Sequence, residues 1–255
     1  TSSFASMPLS PLVIVGAGGM GREVAWLVQD INSVSPTWNL LGFVDESPEL
    51  QDRTVVGYPV LGGRAWLKQY SAVADNNVSA TLDNCESDIR VVIAIGTSAT
   101  RRKLVMHDLE PLNLRYATLI HPSVRMATSG PMAARIGAGS IVCANSVLSV
   151  NVRVGDHVVV SIACNVSHDA IVEDFATLLP SVTVSGFSTL GSCTIIGTGS
   201  QVLECRTIGA GTIVGAGSVV VEDLPPDCTA VGAPAKAIKF HENGEQRYAF
   251  REHSR

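Results

Sequence analysis

Read six residues at a time from Ile136, the chain gives Ile136, Val142, Leu148, Val154, Val160, Val166, Val172, Leu178, Val184, Leu190, Ile196, Val202, Ile208, Val214 and Val220, an aliphatic residue at every step. The next position is often glycine, as at Gly137, Gly155, Gly191, Gly197, Gly209 and Gly215. The fourth position after each aliphatic is small or β-branched, from Ser140 and Ser146 to Ser218, with Arg206 as the exception. A period of six fits neither an amphipathic helix nor an alternating strand and marks a repeat architecture. Each unit predicts a short strand and a turn, and three units close an eighteen-residue triangular coil with the aliphatic side chains inside. Coils stacked at the strand spacing of about 4.8 Å make a parallel β-helix in which each rung buries the next. Glycine or another small residue near each turn is expected to take the unusual backbone angles. Nothing interrupts the register between residues 136 and 220. A site on this helix must therefore use its faces and a neighbouring surface rather than a long loop.

Ahead of the repeat, strand-like and helix-like patterns alternate. Residues 12–16 form an apolar strand, and residues 22–32 an amphipathic helix with Val24, Ala25, Leu27, Val28 and Ile31 on its apolar side. Residues 40–44 and 91–95 are further strands, the second closed by Gly96 and followed by a helix over about residues 99–109. This order predicts an α/β, Rossmann-like domain with a parallel sheet. The expected organisation is residues 1–117 as that domain, 118–238 as the all-β parallel β-helix, and 239–255 as a polar C-terminal tail, helical or coiled.

Between the first strand and helix, Gly16-Ala17-Gly18-Gly19-Met20-Gly21 matches G-x-G-x-x-G in the required context. Glycines there let a phosphate approach unpaired amides at a helix N-terminus. Asp45, at the end of the second strand, is placed to accept from a ribose hydroxyl. NAD is the first candidate, but the domain is too short for a second mononucleotide-binding half, so a nucleotide or nucleotide-sugar is expected and NAD is not. A glycine turn that binds nothing is the alternative.

The balance of 18 Lys and Arg against 23 Asp and Glu gives a formal charge of −5. That leaves no cationic excess to displace counterions, which argues against a nucleic-acid partner. Aromatic residues are 5% of the chain, so the core must be filled by small and β-branched side chains. The six cysteines, Cys85, Cys143, Cys164, Cys193, Cys205 and Cys228, show no C-x-x-C pair or zinc spacing. Reduced thiols are expected, those in the repeat acting as small buried hydrophobes. With no signal peptide and no apolar run of membrane-spanning length, a cytoplasmic protein is expected.

Six histidines are present: His107, His121, His157, His168, His241 and His253. His107 falls on a predicted surface helix, His121 precedes Pro122 at the domain junction in a structural place, and the last two lie in the tail. Only His157 and His168 are on the repeat, and His157 is given no role. Hexapeptide-helix carbonic anhydrases hold zinc with several histidines, and two that lie eleven apart do not supply such a set, so no metal is expected. His168, in Val166-Ser167-His168-Asp169-Ala170, falls outside the inward columns and should face outward. An imidazole there can take a proton from an attacking amine or hydroxyl, and Asp169 can orient it and raise its basicity. Eighteen residues on, Gly186 should lie directly above, with a bare backbone N–H for a developing oxyanion. A solvated turn histidine is the alternative.

Several segments together resemble one family. They are GAGGMGREV at the start, GFVDES, IAIGTSATRRK, IHPS, VSHDAIVEDF and the closing VGAPAK at residues 231–236. Their order resembles the bacterial sugar acetyltransferases of the sialic acid O-acetyltransferase and UDP-4-amino-sugar (bacillosamine-pathway) N-acetyltransferase type, within the hexapeptide-repeat superfamily. The resemblance implies a left-handed β-helix, a homotrimer with clefts between subunits, and acetyl-CoA as co-substrate. It also implies His168 as general base, Asp169 as its carboxylate partner and Gly186 as the oxyanion amide. Thr177, Gly186, Thr198 and Ala216 would touch the cofactor, and Gly18, Gly19, Met20, Asp45, Glu46 and Gly96 would hold the nucleotide-sugar. The chain departs from the family pattern at Thr177 and Met20, where histidines are common. The acceptor, and the choice between amine and hydroxyl, are left open.

Two other functions compete at this level. One is a non-catalytic, nucleotide-binding trimeric scaffold, suggested by Thr177 and Met20. The other is sugar-nucleotidyl transfer, which also pairs α/β domains with hexapeptide helices but usually has a basic glycine-rich signature that GAGGMGRE lacks.

Overall fold

The structure, a computed structural model, describes residues 8–75 and 89–241. Cys85, His253 and the tail beyond His241 lie outside the described residues. Contacts divide the chain into two units: Thr1–Ile95 with Val105–Pro122, and Gly96–Leu104 with Ser123–Arg255.

In the first unit, β1 (Ser10–Val15), α1 (Gly19–Val34), β2 (Trp38–Val44), β3 (Thr54–Val55), β4 (Tyr58–Gly62), α2 (Arg64–Asp75) and β5 (Arg90–Ile93) follow in order. With β6 (Arg115–Tyr116) the strands lie in the order β3-β4-β2-β1-β5-β6. All pairings are parallel except the β3–β4 hairpin. β1 is central and its residues Leu12, Val13 and Ile14 are fully buried. Such a continuous apolar run is what a strand covered on both faces requires. α1 buries Val24, Ala25, Leu27 and Val28 and leaves Trp26 outside. The chain leaves β1 toward β2 on one side and returns in β5 on the other. This makes the β1 C-terminus the topological switch point, where open α/β sheets bind ligands. The β3–β4 hairpin and α2 have no counterpart among the elements expected from sequence, although Trp66, Leu67, Tyr70, Val73 and Ala74 recur at helical spacing.

The second unit is the expected left-handed parallel β-helix. One face stacks strands at Arg125–Met126, Val147–Leu148, Asn165–Val166, Thr183–Val184, Gln201–Val202 and Val219–Val220. The next stacks Arg135–Ile136, Arg153–Val154, Ile171–Val172, Thr189–Leu190 and Thr207–Ile208. The third runs through Ile141–Val142, Val159–Val160, Thr177–Leu178, Ile195–Ile196 and Ile213–Val214. Cys228–Gly232 then adds to that face in parallel and Ala235–Phe240 folds back on it as a hairpin, so strand structure continues two residues beyond the expected start of the tail. From Arg135 to Val220 register partners are eighteen apart, as in Asn165↔Thr183 and Thr177↔Ile195; the spacing is twenty-two at Arg125↔Val147 and sixteen at Ile213↔Thr229. Every member of the aliphatic column except Ile136 is buried. At about 1.5–3 kcal/mol for each buried Val, Leu or Ile, this column contributes heavily to the stability of the coil.

The turns differ from expectation. From Ile136 to Val214 the left-handed backbone falls three residues after each aliphatic, at Asn145, Asn151, His157, Ala163, Asp169, Phe175, Ser181, Phe187, Cys193 and Cys205 among others. The amide at this position donates to a carbonyl of the rung below, as from His157 to Ala138 (2.8 Å) and from Asp169 to Val150 (3.0 Å). The glycine just after the aliphatic serves close approach instead. A Cβ at Gly197 would lie 2.4 Å from the Ala216 nitrogen, and one at Gly209 2.3 Å from the Pro226 nitrogen. The cysteine expectation is also corrected in part. Cys164 and Cys193 are buried, but Cys205 occupies a left-handed turn and is exposed. None of the five described cysteines forms a disulfide.

Candidate active site

The glycine turn of the first unit assigns each glycine its own task. Gly16 has φ +100°, and a Cβ there would meet the Ala94 carbonyl oxygen at 2.8 Å. A Cβ on Gly21 would lie 2.0 Å from the Gly16 oxygen, so α1 can sit against the turn only with glycine there. Gly18, by contrast, has open space around its Cβ position, Gly19 nearly so, and both are exposed. These are the two places where a ligand can come close to the backbone. No side chain caps the α1 N-terminus and no acidic residue stands in its first turn. Met20 is partly exposed at the same end.

Asp45 has a structural duty in this turn. Its Oδ2 accepts the Ala17 N–H at 2.8 Å and its Oδ1 the Ser47 N–H at 2.9 Å. Burial alone would raise its pKa, but the bonds from Ala17 and Ser47 together outweigh it and hold the carboxyl below its usual value. Each oxygen keeps a second acceptor site. Glu46 accepts the Arg64 backbone N–H at 2.6 Å and its Nε at 2.9 Å, which lowers the Glu46 pKa. His121, expected to be structural, meets Asp30 Oδ2 through Nε2 at 3.1 Å within this unit.

On the β-helix, His168 stands at an edge between two faces with 51% of its side chain exposed. Its Nδ1 lies 3.1 Å from Asp169 Oδ2. Asp169 adopts φ +59°, a conformation Asp tolerates better than most residues, and Asn151 Nδ2 donates to its Oδ1 at 3.1 Å. A donor at Nδ1 leaves Nε2 as the acceptor. Gly186 is directly above, as expected. A Cβ there would lie 2.5 Å from His168 Cε1, 2.7 Å from Nε2 and 3.0 Å from Nδ1. Phe187 adds an edge-on contact to the imidazole, with centroids 5.2 Å apart at 81°.

Among the described residues no acceptor engages the Gly186 amide. Equivalent amides on another edge show what this position can do. Those of Ala138, Asp156 and Ser192 donate to carboxylate oxygens of Asp156, Asp174 and Glu173 at 2.7, 2.8 and 2.9 Å. An amide in this place on the coil is thus a ready donor to an anionic oxygen.

Thr198 and Ala216 are exposed and stacked on a different edge, where Ile162 is also exposed. One chain does not bring them to His168. Thr177 is on neither edge. It is 2% exposed on the third face, with its Oγ1 2.9 Å from Ser98 Oγ and 2.9 Å from Arg101 Nη2. Thr177, expected at the cofactor, is therefore buried in the single chain, with its hydroxyl engaged by Ser98 and Arg101. Gly96 shares this cluster, its carbonyl accepting from Arg101 and Thr177 at 3.4 Å.

Arg101 is the residue the sequence did not reveal. It is 1% exposed and donates to the carbonyls of His157 (2.9 Å) and Phe175 (2.7 Å). Burial lowers its pKa to about 10. Replacing Arg101 by Met should strand these acceptors and cost about 2–3 kcal/mol, read as a lower denaturant midpoint at unchanged slope.

His157, given no role from sequence, is 5% exposed and stacked on Phe175 with centroids 5.2 Å apart. Burial pulls its pKa from 6.5 to about 4, Arg101 acting in the same sense. Because the folded-state value is depressed, the neutral form is preferred on folding. Stability should be full above pH 6.5 and fall as pH drops toward 4, by about 3 kcal/mol at most. Unfolding curves at pH 7.5 and 4.5 should differ by less in a His157→Gln variant than in the parent.

Among the described residues no group of His, Cys, Asp and Glu is arranged to hold a metal, and no helix is long and apolar enough to cross a membrane.

Comparison with known proteins adds to this geometry. The model of the PglD N-terminal domain family matches residues 11–107. The acetyltransferase domain of PglB from Neisseria gonorrhoeae is 30% identical, with 89% of this chain and 99% of that one covered and a TM-score of 0.72. The same domain in complex with acetyl coenzyme A gives a TM-score of 0.75 at 29% identity, covering 91% and 100% of the two chains. A perosamine N-acetyltransferase variant from Caulobacter crescentus, in complex with CoA and GDP-perosamine, is 28% identical over 92% of this chain and 100% of that one, with a TM-score of 0.74. Serine acetyltransferase of Synechococcus elongatus is 37% identical over 81 residues, 29% of this chain and 33% of that protein. The chain therefore spans about a third of the length of that curated relative. The fold and these likenesses define an acetyltransferase. More particularly, the chain belongs to the bacterial sugar acetyltransferases of the hexapeptide-repeat type.

Proposed function

We propose that the protein transfers an acetyl group from acetyl-CoA to an amino or hydroxyl group of a sugar, an amino sugar linked to a nucleotide being the favoured acceptor. The observation that carries this reading is the stacking of Gly186 on His168, an imidazole beside an unengaged amide. His168 Nε2 takes the proton as the acceptor nitrogen or oxygen attacks the thioester carbon. Asp169 holds the ring through Nδ1 and stabilises the imidazolium. The carbonyl oxygen, now carrying the charge, accepts from the Gly186 N–H. Collapse of the tetrahedral intermediate breaks the carbon–sulfur bond, and the proton on His168 passes to the departing CoA thiolate.

Support for the acceptor class comes from the Caulobacter relative with bound CoA and GDP-perosamine and from the open glycine turn. There Gly18, Gly19 and Met20, with Asp45 and Glu46, would hold part of the nucleotide-sugar. A homotrimer is part of the proposal. His168 lies on one edge of the triangular coil and Thr198 and Ala216 on another, so a cleft lined by one edge from each of two copies unites base and cofactor contacts. The test is a thiol-release assay with acetyl-CoA against UDP-, GDP- and TDP-linked amino sugars and free sialic acid. Acetylation of a nucleotide-linked amino sugar is expected. Absence of CoA release with every acceptor would overturn the reading.

A further inference from the structure

The edge that carries His168 and Asp169 borders a second feature, which the reaction above does not use. Strands Arg135–Ile136 and Arg153–Val154 pair in parallel, with Arg153 opposite Arg135. Ile136 and Val154 take the inward places, so both arginines lie on the outer surface, and both are exposed. Neighbouring rungs are about 4.8 Å apart. Like charges directly opposite each other on adjacent strands repel. The same column continues through Ile171, Thr189 and Thr207 without charge. Neither guanidinium has an ion-pair or hydrogen-bond partner among the described residues.

The two arginines line a cavity of about 370 Å³ together with Asn151, Asp169 and Pro131. Its wall is built. Between Arg125–Met126 and Arg135–Ile136 the chain leaves the six-residue step. This excursion is fastened by the Asn151 N–H to the Met132 carbonyl at 3.0 Å and by the Ala134 N–H to the Ala127 carbonyl at 2.9 Å. Asp169 is the one acid in the lining, and its two oxygens already accept from Asn151 and pair with His168. Two guanidinium charges against one engaged carboxylate leave the cavity net positive.

We propose that Arg135 and Arg153 form a phosphoryl-binding site next to the His168 edge, holding the diphosphate or phosphate ester of a substrate. Two stacked guanidinium forks match the oxygens of a diphosphate, which each can grip in bidentate fashion. The bound anion offsets the repulsion between them. Only the choice of what the phosphoryl group is attached to rests on the acyl-transfer reading. Under that reading two substrates carry one, the CoA donor and the nucleotide-linked acceptor.

The probe is inorganic pyrophosphate, titrated into the full-length protein by calorimetry, which needs no turnover. Wild-type protein should bind it, and Arg135→Gln with Arg153→Gln, which keep most of the apolar stem, should weaken binding at least about tenfold. Nucleoside diphosphates displacing the probe while CoA does not would place the acceptor there, and the converse the donor. Either result supports the site. Unchanged pyrophosphate binding in the double variant, or none in the wild type, would overturn it whether or not acetyl transfer is found. Should the variants not fold, phenylglyoxal labelling of the wild type replaces them. Arg135 and Arg153 should react and be protected by pyrophosphate, whereas labelling without protection, or no labelling because a second copy covers them, refutes the proposal.

Discussion

Replacing His168 by Ala should lower kcat/KM for acetyl transfer between about a hundredfold and ten-thousandfold, the range set by loss of a general base. The fold should survive. His168 is a half-exposed turn residue whose ring meets Asp169 and, on the rung above, Phe187. Its backbone link, the Phe187 N–H donating to the His168 carbonyl at 3.2 Å, does not depend on the side chain. The effect should fall on kcat, with KM for acetyl-CoA little changed, because Thr198 and Ala216, proposed to touch the CoA chain, lie on another edge. Asp169→Asn should act more mildly, since an amide oxygen can still accept from Nδ1 but carries no charge to stabilise the imidazolium. A His168→Ala protein turning over at near-parental rate, with a well-formed fold by circular dichroism, would remove the base from the mechanism.

The β-helix and its key pair were legible because a stacked coil is nearly one-dimensional. Once the period is eighteen, any residue's vertical neighbours follow by addition, which is how Gly186 was placed above His168. The same step applied to Asp169 leads down to Asn151 and up to Phe187, both of which the structure brings to the site. That signal was available and unused. Other features were not legible, for physical reasons. The burial of Arg101 and Thr177 depends on Gly96–Leu104 lying on the coil, and no local pattern distinguishes a buried arginine from a surface one in SATRRK. The occupants of the left-handed turn position, among them Phe175, Phe187 and Cys205, hide its location because they are not glycine. Their conformation is imposed by rung-to-rung hydrogen bonding, which outweighs the intrinsic cost of about 1–2 kcal/mol per residue. In the first unit the glycine turn was readable, yet the sequence could not divide its labour. Gly16 and Gly21 are demanded by packing, and only Gly18 and Gly19 are left open for a ligand.

Gly186→Ala should be nearly as damaging as loss of the base itself, lowering turnover about a hundredfold or more while changing stability by less than about 1 kcal/mol. Gly186 does not occupy the left-handed region, so alanine brings no backbone strain, and the amide N–H is retained. What changes is space. The added methyl would fall within 2.5 to 3.0 Å of three imidazole atoms, and the backbone cannot yield because the Gly186 carbonyl accepts the Cys205 N–H at 3.0 Å. The exposed imidazole can yield, by swinging into solvent and away from the amide. The loss then comes through displacement of His168, and this sets the outcome of a double variant. In a His168→Ala background the methyl meets no ring, so Gly186→Ala should add little to the defect, and the two changes together should be far from additive. A full additional loss in the double variant would mean instead that the methyl blocks the oxyanion position directly. A Gly186→Ala single variant with more than half the parental rate would show that the rung above His168 takes no part in catalysis.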